Sequence, residues 1–366
     1  MSYFSTPIRL VQNKIVRYPG GREIDRFRGI TPPMDDGRPE AWVGSTVTTV
    51  GAGTNGKDST DGMASCILPS GREMLLKEAI LLDTKGALGL DHVKEHGNEP
   101  AVLVKILDAQ YQLGFQCHPT PEYALAHWGE KYGKAECWYI LSLREDVEEE
   151  PYVLLGFKEG ITREKFTECF DKGDIKEIDN LLHKIPVTPG ELYWVGPGVP
   201  HAVGAGVLCI EAQEPSDITL GARPLNFHYP DATPEAVEKH RNRLLGAYAY
   251  DGCTYEDNLK ARRIEPVVLS RDGLSQELLL IGEKQTPCFS LSRIEAKGKF
   301  TPMATGRCAI LIVTQGEGEL ICDSGSISVK CGDEIFIGAD VKNLSYVPKG
   351  ESMTVIVSHP PGASWD

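Results

Sequence analysis

The chain has 366 residues, 41% of them hydrophobic, which is enough to bury a large core and makes two domains the natural expectation. Its formal charge of −14 argues against nucleic acid as a partner, because phosphate contacts need a basic face. It leaves room for a small anionic substrate, and neither a signal-like N-terminal apolar run nor a membrane-length apolar stretch (about 20 residues) is present.

Residues 1 to about 60 are rich in Gly, Pro and Asp, and within them Glu40–Val50 (EAWVGSTVTTV) reads as a strand from its β-branched content. Residues 73–97 mix short helical patterns with charged turns, and Ala101–Ala109 (AVLVKILDA) reads as a buried strand. Next comes LGFQCHP, in which Gln116 and His118 are two apart and share one face of a strand. A helix is expected over Pro121–Gly133, with Pro at its start and Gly at its end. Two strands follow, ECWYILSL opening on Glu136 and YVLLGFK, separated by the solvated acidic run REDVEEE.

Residues 162–184 have helical periodicity, with Thr162 as cap, a break at Gly173 and resumption over Ile175–His183. In VTPGELYWVGPGVPHAV, Pro189–Gly190 and Gly196–Pro200 are turns that bracket the strand Leu192–Val195, and His201 opens the next strand. After strands near Gly206–Ile210 and the loop QEPSDITLGARPLNFHYPD, a connector helix is expected over about 233–248. From about Arg262 the pattern is short strands with Gly turns, echoing the first half, so this half reads as a second barrel. It carries no Gln-x-His, and Lys342 and Asn343 stand near where the first copy has His201.

If the strands bearing Gln116, His118, Glu136 and His201 neighbour one another, an amide oxygen, two imidazoles and a carboxylate converge. That donor set suits zinc or another borderline divalent ion with a position left for substrate. The ten cysteines are scattered without a CxxC pair, which points to a reducing cytoplasm. Cys117 and Cys137, next to proposed ligands, should face away into the core. His92, His96, His183, His240 and His359 read as solvent-facing, and nothing in the spacing of His127 or His228 demands a role.

The motifs LVKILDA, QCHP, EYA, YGKAECWYIL, PGELYWVGPGVPHAVGAGV and EAQEPSDIT, with RYPGGREIDRF and EAWVGST before them, resemble type I phosphomannose isomerases of the cupin superfamily. The resemblance covers nearly the whole chain. It implies a mainly β, double-barrel cupin fold of two jelly-roll-like barrels with helical excursions in the N-terminal half. Residues 1–255 would form the metal-binding domain, with a helical insertion at about 162–184, and 256–366 a barrel without ligands. It further implies one zinc ion per chain on Gln116, His118, Glu136 and His201, and interconversion of mannose 6-phosphate and fructose 6-phosphate.

Lys134 matches the lysine of the family's KxE motif and Lys105 that of its LVKI strand, both as substrate-side cations. Three positions depart from the family: Gly114 replaces a Ser, Gly221 an Arg, and Thr120 stands in HPT where HPD is usual. Those changes bear on substrate identity and leave open an unphosphorylated sugar or a non-catalytic sugar-binding cupin; an iron dioxygenase is disfavoured by Gln116. Isomerisation needs a base beside C2, for which Glu211 and Asp217 are candidates, and Arg223 would polarise the substrate oxygen or hold phosphate. Oligomeric state is not legible in the sequence.

Overall fold

The computed structural model describes residues 2–49, 59–224 and 230–365. Contacts gather the chain into two compact units. One comprises Met1–Asp108, Ile210–Pro215 and Glu265–Asp366; the other comprises Ala109–Cys209 and Ser216–Ile264. The boundary expected at 255/256 does not coincide with this division. The reason is a long-range pairing: Ile8–Leu10 runs antiparallel to Glu334–Ile337, matching Ile8 to Phe336, so both ends of the chain share one sheet.

That sheet has nine strands in the order Val267–Asp272, Ser275–Ile281, Ser290–Ala296, Met353–His359, Ala309–Gln315, Glu334–Ile337, Ile8–Leu10, Ser65–Ile67 and Glu73–Leu75. A three-stranded sheet of Gly325–Lys330, Glu317–Cys322 and Ser345–Pro348 belongs to the same unit. Alternation places Ile294, Leu311, Val313, Val355 and Val357 on one face, where they form a core with Leu320 and Tyr346. A buried ion pair, Arg28 Nε to Glu334 Oε1 at 3.0 Å, ties the N-terminal segment to this sheet.

The other unit is built on a five-stranded antiparallel sheet ordered Leu220–Gly221, Gln116–Cys117, His201–Val203, Tyr152–Phe157, Leu182–Pro186. Phe115, Cys117, Phe157, Phe166, Phe170 and Tyr248 pack an aromatic-rich core for this unit. Thr162 Oγ1 accepts from the Lys165 N–H and starts the helix Arg163–Lys172, which ends at Gly173 with φ 68°. The next helix is short, Ile175–Asp179, and His183 lies in a strand instead of completing it. Pro234–Ala247 is helical, capped by Thr233. None of the described helices is long and apolar enough to cross a membrane.

Two expected elements are shorter than their sequence patterns. The helix from Pro121 stops at Trp128, because Gly129 takes the left-handed conformation (φ 72°), four residues short of the expected end at Gly133. The strand from Glu40 stops at Val43, since Gly44 turns the chain at φ 60°. Val50, the far end of that expected strand, lies outside the described residues, as does His228. Among the described residues no sheet closes on itself, so the expected barrels are not present as closed ladders.

Candidate metal centre

Two ladders bring the proposed ligands together within one unit. His201 pairs directly with Gln116, which places the Gln116 Nε2 3.2 Å from the His201 Nε2. Glu136 pairs with Val195, the last residue before the five-residue turn that delivers His201. The turn is held by Gly198, whose N–H donates to the His118 carbonyl over 2.7 Å. Gly198 has φ 76° and a Cβ there would lie 3.0 Å from the Ala247 carbonyl oxygen, so only glycine fits without strain. Sequence position thus becomes geometry: strand, tight turn and strand put the second imidazole beside the carboxylate.

His118 Nε2 lies 3.2 Å from Glu136 Oε2, and His201 Nε2 lies 3.4 Å from Glu136 Oε1. The ligand atoms of these three residues all fall within 4.8 Å of one another, and all three side chains are buried. Each imidazole is anchored through its other nitrogen: His118 Nδ1 sits 2.9 Å from the Ile218 carbonyl and His201 Nδ1 2.8 Å from the Val199 carbonyl. A carbonyl only accepts, so each Nδ1 carries the proton and each Nε2 presents its lone pair inward. Those are the tautomers a metal needs. The Gln116 amide can present its oxygen after a flip, since oxygen and nitrogen are distinguished only by their partners.

The protonation states agree with the tautomers. Burial drives both imidazoles below their ordinary range, His201 down to about 3 against the upward pull of Glu136, while Lys134 pushes His118 further down. Burial acts to raise the Glu136 carboxyl, but Lys134, His118 and His201 outweigh it and hold it well below the carboxylate range. Neutral imidazoles beside an ionised carboxylate are the forms that ligate a divalent cation at neutral pH. Both Glu136 carboxylate oxygens are buried, with the Lys134 ammonium and the two imidazoles around them. The donor set fits a metal.

Lys134 is buried, with Nζ 2.7 Å from Glu136 Oε2 and 3.0 Å from His118 Nε2. The structure therefore brings it to the ligand cluster, as its even spacing from Glu136 implied. Trp138, not singled out in the sequence, packs edge-on to His201 at 5.3 Å between ring centroids. Its signal was legible: it is two residues beyond Glu136 on the same strand and faces the same side. The Ile218 and Val199 carbonyls had no such signal, because any residue supplies one.

Asp217 and Arg223 flank the short strand Leu220–Gly221, in which Gly221 pairs with Gln116 and Leu220 with Cys117. Asp217 precedes the residue whose carbonyl anchors His118, and the Arg223 N–H donates to the Gly221 carbonyl over 2.8 Å. Both are partly exposed. Lys105 and Glu211 belong to the other compact unit, where they form a buried ion pair at 3.4 Å, and the Lys105 ammonium stands 4.7 Å over the Trp42 ring. Cys117 and Cys137 are fully buried. The solvent-facing reading of His92, His183 and His359 is corrected: all three are buried, His92 against the Glu99 carbonyl and His183 against the Cys253 carbonyl.

The fold is the mainly β fold of solved phosphomannose isomerase structures, and it carries a two-histidine, one-glutamate cluster of metal-binding geometry. The crystal structure of mannose 6-phosphate isomerase from Bacillus subtilis matches with a TM-score of 0.73 at 21% identity, covering 97% of this chain and 99% of that one. An arginine-to-alanine variant of the Salmonella typhimurium phosphomannose isomerase matches with a TM-score of 0.73 at 18% identity, covering 97% and 100%. In sequence the chain resembles the mannose-6-phosphate isomerase of Bacillus subtilis, at 29% identity over 241 residues, 66% of this chain and 70% of the relative. The Streptococcus mutans mannose-6-phosphate isomerase is 29% identical over 273 residues, 74% and 78% of the two chains. No protein-family model matches the chain.

Proposed function

We propose that this chain is a metal-dependent aldose–ketose isomerase that interconverts mannose 6-phosphate and fructose 6-phosphate through an enediol or enediolate. The observation that carries the reading is the inward convergence of two carbonyl-anchored imidazoles on the buried Glu136 carboxylate. The names of its relatives supply the substrate. A divalent ion, zinc in our reading and one per chain, would be held by Gln116, His118, Glu136 and His201, where it supplies a Lewis acid for a sugar oxygen.

The protein's own groups then have separate tasks. A carboxylate moves the proton between C1 and C2, and Glu211 and Asp217 are the two assigned to that role; such a positioned base contributes about 10²–10⁴-fold. Arg223 stabilises the developing oxyanion or the phosphate. Lys134 and Lys105 are assigned to the anionic end of the substrate. In this reading residues 1–255 carry the metal-binding cupin and 256–366 a second, ligand-free one. Ten free thiols support a reducing compartment, and we assign the enzyme to the cytoplasm.

A second reading, an isomerase of an unphosphorylated sugar, is favoured by Gly114 and Gly221, which place no side chain where a hydroxyl and a guanidinium would meet phosphate. A coupled assay separates the two. Protein of known zinc content is offered mannose 6-phosphate and a panel of free and phosphorylated aldoses. Turnover of mannose 6-phosphate, lost on chelation and restored by zinc, is expected; full zinc occupancy with turnover of free sugars alone selects the second reading.

A further inference from the structure

The unit that holds both chain ends contains a cavity of about 430 Å³, lined in part by the strands Ser290–Ala296, Ala309–Gln315 and Met353–His359. Its volume lies within the range of small-molecule sites, roughly 300–1,000 Å³. None of the proposed metal ligands or substrate groups lines it. We propose that this cavity is a binding site for an uncharged monosaccharide of hexose size.

The walls are of two kinds. Ile294, Ala309, Ile337, Leu344 and Val357 are apolar, and Tyr346 presents an aromatic side chain. Among them stand polar groups with open hydrogen-bonding positions. Glu277 is 2% exposed; its Oε1 accepts from the Ser292 hydroxyl at 2.9 Å and the Trp365 indole at 3.3 Å, while its Oε2 has no partner among the described residues. His359 is 7% exposed, with Nδ1 3.4 Å from the Thr305 hydroxyl and Nε2 unpartnered among the described residues. The Arg307 Nη1 is likewise buried and unpartnered, its Nη2 being engaged by Glu95 at 3.0 Å.

Buried polar atoms are nearly always paired, because losing water without gaining a partner is unfavourable. Three such atoms on one cavity imply that their partners come from its contents. Apolar walls together with both acceptors and donors complement a sugar ring, which offers C–H faces and hydroxyl edges. An anionic ligand is disfavoured because the charged lining groups balance, Glu277 and Asp323 against Arg307 and Lys342, which leaves no net positive charge facing it. Burial also raises the Glu277 carboxyl, which makes it a donor to a hydroxyl over more of the pH range.

The test uses full-length protein carrying His201→Ala, so that the metal centre takes no part, and calorimetric titration with D-mannose and D-fructose. One-to-one saturable binding of at least one of them is expected. Glu277→Ala should weaken it at least about tenfold. Met303→Trp, at a residue 45% exposed on the cavity's lip and so compatible with folding, should weaken it as well. No saturable binding of either sugar overturns the proposal, as does binding indifferent to both substitutions, and tighter binding of mannose 6-phosphate than of mannose overturns the uncharged class. Because the metal centre is disabled throughout, failure here leaves the isomerase reading untouched.

Discussion

Two regions of this chain bury histidine and glutamate among β-strands, with opposite results. Around Gln116, a direct strand pairing and a five-residue turn bring His118, Glu136 and His201 within 4.8 Å, each imidazole fixed by a backbone carbonyl. In the C-terminal strands His359 and Glu277 are also buried, yet Trp365 contacts both, donating to Glu277 at 3.3 Å and meeting the His359 ring edge-on at 5.3 Å. Near the position expected to correspond to His201, Asn343 bonds Asp323 and the Lys342 ammonium donates to the Ala339 carbonyl. Burial alone does not make a metal centre. What matters is a pair of backbone carbonyls that fixes the tautomers and a register that aims three donors at one point.

Breaking the first region should have the largest effect. His118→Ala or His201→Ala is expected to lose metal and to lower activity by more than about a hundredfold, with far-ultraviolet dichroism unchanged. Zinc retained at one per chain in either variant would remove that residue from the centre. Arg28→Ala strikes the other region, leaving Glu334 buried without its partner. Burial already holds the Glu334 carboxyl above its ordinary range despite Arg28, so it can shed its charge. The expected loss is therefore about 3 kcal/mol, the lower end for a broken buried pair, read from urea unfolding with metal content unchanged.

The same region predicts a pH dependence. Burial drives the His359 imidazole down to about 4, whereas the unfolded chain titrates near about 6.5. Between those values the unfolded state takes up the proton first. Stability is thus full above about pH 6.5 and falls by at most about 3 kcal/mol as pH drops toward 4. His359→Gln should flatten that part of the curve; an identical slope in the variant would assign the loss elsewhere. In the metal region, Lys134→Met should raise KM about tenfold for a phosphorylated substrate, far more than for a free sugar. Equal effects on both would dissociate Lys134 from phosphate.

The smallest effect concerns a departure from the family pattern. A Cβ at Gly114 meets nothing within 4 Å and its φ is not left-handed, so Gly114→Ser should change stability by less than about 0.5 kcal/mol. If phosphate is recognised there, KM for mannose 6-phosphate falls; an unchanged KM places recognition on other groups.

The ligand cluster was legible from the even spacing of Gln116 with His118 and of Lys134 with Glu136, although the strands cover only Gln116–Cys117 and Glu136–Leu143, so His118 and Lys134 lie just outside them. The turn at Gly196–Pro200 was readable from its glycines and prolines. What anchors the imidazoles was not, because backbone carbonyls at Ile218 and Val199 carry no residue signature. The compact units were hidden too, since pairing of Ile8 with Phe336 is a contact between chain ends that no local pattern announces. The misjudged histidines show a further limit. His183 sits in a strand whose neighbours alternate buried and exposed, but the adjoining helical pattern masked it.

The most direct measurement is the X-ray absorption spectrum of the zinc-loaded protein at one equivalent. The expected spectrum has a first shell of oxygen and nitrogen donors with the outer scattering of two imidazoles, and His201→Ala binds no zinc to give one. A spectrum with sulfur donors, with no imidazole scattering, or an unsubstituted protein that binds no zinc at all would contradict the account.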